Sequence, residues 1–193
     1  MAKNKLKESL YTIFFMFSIT FVFIFVLSFI NFKTKEQIKL NEKLALRKAV
    51  LYAANVNISD PMKIEKYFNE KIEEKEGYFI LNENSQKTYV FLTSGAGLWG
   101  EIDAVIGLKK DLKTLTGIDF IKQSETPGLG ARISENWFKE QFRNMTGPFN
   151  TLIGEKEKPG KNEFSAITGA TISSSAVKDI INKSLKEAKT IIK

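Results

Sequence analysis

Residues 10–30 (LYTIFFMFSITFVFIFVLSFI) form an unbroken run of 21 residues without a charge. As a helix rising about 1.5 Å per residue, the run is long enough to cross a hydrocarbon core of roughly 30 Å. A cleavable export signal would carry a shorter apolar run, about 7–15 residues, closed by small residues. Here Asn31-Phe32-Lys33 follows, so the segment is expected to be a transmembrane anchor behind a short tail, residues 1–9. Lys3, Lys5 and Lys7 precede it, and Lys33, Lys35, Lys39, Lys43, Arg47 and Lys48 follow. By charge alone, three bases against six would hold the rest of the chain inside the cell, although a long folded domain can be translocated despite such a bias.

A chain of 193 residues has room for one globular domain beside the anchor. It contains no Cys and no His, which excludes disulfides, thiol chemistry, Cys-ligated iron–sulfur clusters and His-based zinc or haem sites within it. Redox work would need an organic cofactor. The net charge of +7 suits either nucleic acid or an anionic membrane surface. Many of the bases flank the apolar run and nothing later resembles a nucleic-acid module, so the membrane surface is the expected partner.

Beyond the anchor, Ile38, Leu40, Leu44, Leu46, Ala49, Val50 and Ala53 recur at near-helical spacing. They extend the helix as a stalk to about Ala54, within residues 31–60, before Ser59-Asp60-Pro61 breaks it. Residues 61–193 are then the domain. A helix is predicted over residues 62–76, with Ile64, Tyr67, Phe68 and Ile72 on one side and Gly77 as its stop. Residues 78–81 and 88–92 are β-rich runs around Asn82-Glu83-Asn84-Ser85, a predicted hairpin, and 102–108 and 118–121 are further strands. Ser134 is expected to cap a helix over 135–143 that turns Trp137, Phe138 and Phe142 inward. Residues 154–162 read as a polar loop. Residues 174–192 read as a last helix with Val177, Ile180, Ile181, Leu185 and Ala188 in an apolar stripe. Strands grouped between helices give an α+β fold, with helices packed on a twisted antiparallel or mixed sheet.

Three glycine-bearing segments are candidate binding elements. Gly95-Ala-Gly97-Leu-Trp-Gly100 matches G-x-G-x-x-G, but the alternating residues 101–107 continue as a strand where a dinucleotide site requires a helix. It reads as a bulge or tight strand connection with Trp99 packed nearby, or as a cofactor contact. In Glu125-Thr126-Pro127-Gly128-Leu129-Gly130, Pro127 fixes φ and Gly128 permits φ > 0, which predicts a type II turn. That turn either presents backbone N–H groups and Leu129 to a ligand or merely connects a strand to a helix. Thr168-Gly169-Ala170-Thr171-Ile172-Ser173-Ser174-Ser175 precedes the last helix, where hydroxyls and unpaired N–H groups suit a phosphate or an ordinary N-cap.

The segments ETPGLG (125–130) and TGATISS (168–174), in this order and about forty residues apart behind an anchor, resemble the FMN-binding domain family. Within it they are similar to the G subunit of the Rnf ion-translocating oxidoreductase and the C subunit of the sodium-translocating NADH:quinone reductase. Gly97-Leu98-Trp99 also matches the latter. The resemblance implies an FMN esterified through its phosphate to Thr171, delivered from FAD by a separate flavin transferase. It implies that Glu125, Thr126, Gly128 and Leu129 lie against the flavin; Thr168, Gly169, Ala170, Ser173 and Ser174 at the helix start, and Trp99 of the first glycine-bearing segment, are the remaining candidate cofactor contacts. Ser165 stands where the transferase pattern has Asp. The function so implied is electron relay among membrane subunits of a redox-driven ion pump, with the domain outside the cytoplasmic membrane. The alternatives are a stand-alone extracytoplasmic flavin carrier and a flavin-less, membrane-tethered binding or assembly module.

Overall fold

The computed structural model describes residues 2–83, 86–154, 160 and 162–192. Helix α1 (Ala2–Ala53) carries the apolar run, and its large side chains from Leu10 to Phe32 face outward, Phe14 at 69% exposure. Among the described residues it is the one helix long and apolar enough to cross a membrane. The chain divides into two compact units, Met1–Lys43 and Leu44–Lys193. The last turns of α1 therefore belong to the second unit.

In that unit β1 (Ile72–Lys75), β2 (Tyr78–Glu83), β3 (Gln86–Ala96), β4 (Glu101–Lys109) and β5 (Leu115–Lys122) form one antiparallel meander. Alternation along each strand sends residues to opposite faces. Tyr89 and Phe91 of β3, with Ile102, Ala104, Ile106 and Leu108 of β4, enter one buried cluster. Phe79 and Leu81 of β2, Val90 of β3 and Val105 of β4 enter another. Helix α4 (Thr171–Ile191) covers the first face with Val177, Ile180, Ile181 and Leu185. The end of α1 and helix α2 (Pro61–Lys71) cover the second with Val50, Leu51, Ile64 and Phe68.

Several local expectations change. Asp60-Pro61 starts a helix as well as ending one: Asp60 Oδ1 accepts the N–H groups of Met62 (2.9 Å) and Lys63 (3.4 Å), and Pro61 takes the first helical position. Helix α2 stops at Lys71, not Glu76, because residues 72–75 pair with β2 as an edge strand. Asn84 and Ser85 of the predicted hairpin turn lie outside the described residues. Ser134 does not cap a helix; it closes a 3₁₀ turn (Gly130–Ser134), and α3 (Asn136–Glu140) has Glu135 at its N-cap. Phe138 and Phe142 are fully buried there, while Trp137 packs only partly. Two three-residue strands, β6 (Thr151–Ile153) and β7 (Glu163–Ser165), pair in parallel. Of the predicted polar loop, residues 155–159 and 161 lie outside the described residues.

The end of α1 is held by named contacts. Thr116 Oγ1 donates to the Ala53 carbonyl at 2.6 Å, and the Arg143 guanidinium donates to the carbonyls of Thr116 (2.8 Å) and Tyr52 (3.4 Å). These supply partners for carbonyls that a helix C-terminus leaves unpaired. Two cations lie over the Tyr52 ring, Lys139 Nζ at 4.2 Å and the Arg143 guanidinium carbon at 4.6 Å from its centroid. Its hydroxyl donates to Glu140, and Lys139 pairs with Asp119 at 2.9 Å.

Candidate functional site

The site is built where three loops meet at one end of the sheet. The β3–β4 connection is tight, with the Gly97 N–H donating to the Gly100 carbonyl at 2.7 Å. It presents Leu98 and Trp99 at its tip, 48% and 69% exposed. The expectation that Trp99 packs nearby is thus corrected: a two-stranded tip offers its ring no covering layer.

After β5 the chain enters the predicted turn. Gly128 has φ +76°, and the Leu129 N–H donates to the Thr126 carbonyl at 3.1 Å, as a type II turn requires. That bond takes the Leu129 N–H out of play for a ligand. The Ala131 N–H donates to the same carbonyl at 3.1 Å, so the turn runs directly into the 3₁₀ segment. The Leu129 side chain stays half-exposed.

The third loop leads into α4, which begins three residues earlier than the sequence suggests. Thr171 is its first residue and is exposed, next to exposed Ile172. The N-cap is Ala170, which makes no side-chain cap bond, so the hydroxyls are used otherwise. Ser174 Oγ accepts the Ile167 N–H and donates to the Ala170 carbonyl, both at 3.0 Å, which folds the loop back on the helix start. The Ser173 hydroxyl donates to Glu125 Oε2. Ser173 and Ser174 are both buried. Upstream, Ser165 is buried in β7, its backbone paired with the Gln141 amide.

Between the loops lies a cleft of about 310 Å³, near the lower end of the roughly 300–1,000 Å³ typical of small-ligand sites. Each loop contributes to its lining, Leu98 from the first, Thr126, Leu129 and Gly130 from the second and residues 169–172 from the third, with buried Glu125 and Ser173 at the floor. Of the expected site residues, Glu125, Thr126, Leu129, Gly169, Ala170, Thr171 and Ser173 line it. Trp99, Gly128, Thr168 and Ser174 do not. Leu98, Gly130 and Ile172 line it unexpectedly, although each lies inside one of the three glycine-bearing motifs. Among the described residues no cluster of acidic side chains could hold a metal ion.

Residues 97–186 match the FMN-binding domain family. The G subunit of the Na⁺-translocating ferredoxin:NAD⁺ oxidoreductase complex of Acetobacterium woodii is 31% identical over 167 residues, 82% of this chain and 80% of that protein. The chain belongs to the FMN-binding domain family. Within the family, the G subunit of the proton-translocating ferredoxin:NAD⁺ oxidoreductase complex of Clostridium ljungdahlii is 34% identical over 63% of this chain and 62% of its own length. The crystal structure of the C subunit of the Na⁺-translocating NADH-quinone reductase from Parabacteroides distasonis superposes with a TM-score of 0.66 at 29% identity. That likeness covers 78% of this chain and 92% of the other. It extends to the α+β arrangement of the sheet and its helices.

Proposed function

We propose that this chain carries FMN joined by its phosphate to Thr171 Oγ1 and relays electrons within a membrane-bound, ion-translocating oxidoreductase complex. The observation that carries the reading is the exposure of Thr171 at the first position of α4, on the rim of the cleft, in a chain of the FMN-binding family. First-turn N–H groups have no acceptor within their own helix, and the helix dipole favours a phosphodiester there. In attachment the Thr171 oxygen–phosphorus bond forms as the pyrophosphate of FAD is cleaved by a flavin transferase; AMP leaves and the hydroxyl gives up its proton.

Bound FMN would supply the reversible electron transfer that no side chain here provides. The residues would do the rest. Thr171 tethers, and Leu98, Leu129 and Ile172 offer apolar surface to a ring. Helix α1 would hold the carrier at the cytoplasmic membrane with the second unit outside, beside multi-span partner subunits. The relatives are named for Na⁺ in one case and protons in the other, so the coupling ion would belong to the partners.

The test is intact mass and peptide mapping of chain purified from membranes that contain the transferase. An FMN-sized addition mapped to Thr171, absent in Thr171→Ala, is the expected result. Unmodified protein would withdraw the covalent reading. Because Ser165 replaces the Asp of the transferase pattern, it would bring forward non-covalent FMN binding or a flavin-less binding module. Purification without multi-span partners would favour a stand-alone carrier.

A further inference from the structure

Glu125 is a carboxylate only 4% exposed at the floor of the cleft. Its Oε1 accepts the N–H groups of Leu98 (2.9 Å) and Trp99 (3.2 Å), and its Oε2 accepts the Ser173 hydroxyl. Its own N–H donates to Gln123 Oε1 at 2.6 Å. The partners lie 27, 26 and 48 residues away in sequence, one pair on the β3–β4 tip and the third on the first turn of α4. A Cβ on Gly97 would stand 2.5 Å from Oε1, and one on Gly130 would stand 2.7 Å from Oε2. Two glycines of two different motifs therefore make room for this one side chain.

The two carboxyl oxygens are taken up by three protein donors, which leaves the side chain little to offer a phosphate. With both oxygens already engaged by protein donors, it is poorly suited to ligate a flavin either. We infer that Glu125 is a positioning residue: it ties the Leu98–Trp99 tip to the start of α4 and so fixes one wall of the cleft relative to Thr171. The inference rests on the carrier reading for what the cleft holds, and on the geometry alone for the tie. A long-range tie is needed because the tip is a hairpin end, which frays first when nothing holds it.

The test compares Glu125→Gln with Glu125→Ala in the full-length chain in detergent, first without flavin and then loaded. Gln keeps an oxygen for both amides and can donate to Ser173 Oγ; Ala removes all three bonds. In the unloaded chain, hydrogen exchange at the Leu98 and Trp99 amides is expected to speed up roughly tenfold or more in Glu125→Ala and to stay near wild type in Glu125→Gln. In the loaded chain, the flavin's visible circular dichroism is expected to change in the Ala variant and be restored in the Gln variant. Amides that stay protected in Glu125→Ala would overturn the tie. Faster exchange with an unchanged flavin signal would overturn the positioning role. Should Glu125→Ala fail to fold, Ser173→Ala cuts only the link to α4: it should shift the flavin signal while the tip amides stay protected, and no shift would again overturn it. A wild-type chain that takes up no flavin would sink the carrier reading and the positioning role with it, while the exchange pattern would still report the tie.

Discussion

Tyr52 shows how a single side chain here answers to its surroundings. Burial, followed by its hydrogen bond to the Glu140 carboxylate, pushes its pKa from about 10 up to about 12, against the opposing pull of Arg143. A raised pKa means that the folded chain keeps the phenolic proton while the unfolded chain loses it. The contribution is thus fully present below pH 10 and is lost as the pH rises from about 10 to about 12. Thermal melts across this window should show a steeper loss of stability in wild type than in Tyr52→Phe, which has no proton to lose; parallel curves would contradict the assignment. Ser174 is a second case. Ser174→Ala would leave the buried Ile167 N–H without its acceptor, at a cost of about 1–3 kcal/mol, read as a lower urea midpoint with an unchanged slope. Neither role was legible in the sequence. The TGATISS motif marked Ser174 as a hydroxyl near a helix start, but whether it faces a ligand or the loop behind it depends on where the helix begins. Glu125 was legible as a motif residue and illegible as a buried tie, because its partners are brought together only by the fold.

At the scale of elements, the junction of α1 with the sheet carries the clearest consequence. Gly107 of β4 pairs with Gly117 of β5, and a Cβ on Gly107 would collide with the Ala53 carbonyl and Thr116 Oγ1. Because the obstacle includes backbone, Gly107→Ala should cost about 1–3 kcal/mol as the helix end is pushed off the sheet. The same packing bears on where the folded unit begins. Val50, Leu51 and Ala53 are at most 1% exposed, and a fully buried Val or Leu contributes about 1.5–3 kcal/mol. We therefore expect a chain starting at Leu44 to unfold cooperatively in denaturant. One starting at Pro61, which strips these residues from the core, should lose its cooperative transition. Equal transitions for both would show that the helix end is dispensable. The apolar stripe of α4 and the strands β2 to β5 could be read in advance, since period-3.6 and period-2 patterns survive in the residues that face each cluster. Strand β1 could not. Ile72-Glu-Glu-Lys continues the spacing of α2 acceptably, and only pairing with β2 decides against the helix. Strands β6 and β7 are three residues each, too short for any period to register.

For the whole molecule, the open question of sidedness turns on which charges count. Taken at face value, three bases before the apolar run and six after it retain the second unit in the cytoplasm. Yet Arg47 and Lys48 lie inside the folded unit Leu44–Lys193. Arg47 is paired there with Glu65 at 2.7 Å, donates to Asn69 at 3.2 Å and stacks 4.9 Å from the Phe68 ring. Its charge is spent within the fold once folding is complete. Outside that folded unit, Lys33, Lys35, Lys39 and Lys43 stand against Lys3, Lys5 and Lys7, a bias of one charge. Long folded domains are translocated with little regard to such a margin. We therefore predict that an enzyme reporter active only outside the cytoplasm, fused after Lys193, will be active, and that replacing the four juxtamembrane lysines with Gln will raise its activity further. Replacing Lys3, Lys5 and Lys7 instead should lower it, because it removes the charges that hold the N-terminus inside. A reporter active only in the cytoplasm would withdraw the extracytoplasmic placement while leaving attachment at Thr171 to stand or fall on its own mass measurement. On the carrier reading, the partner subunits and a loading transferase would then be expected at the inner face of the membrane.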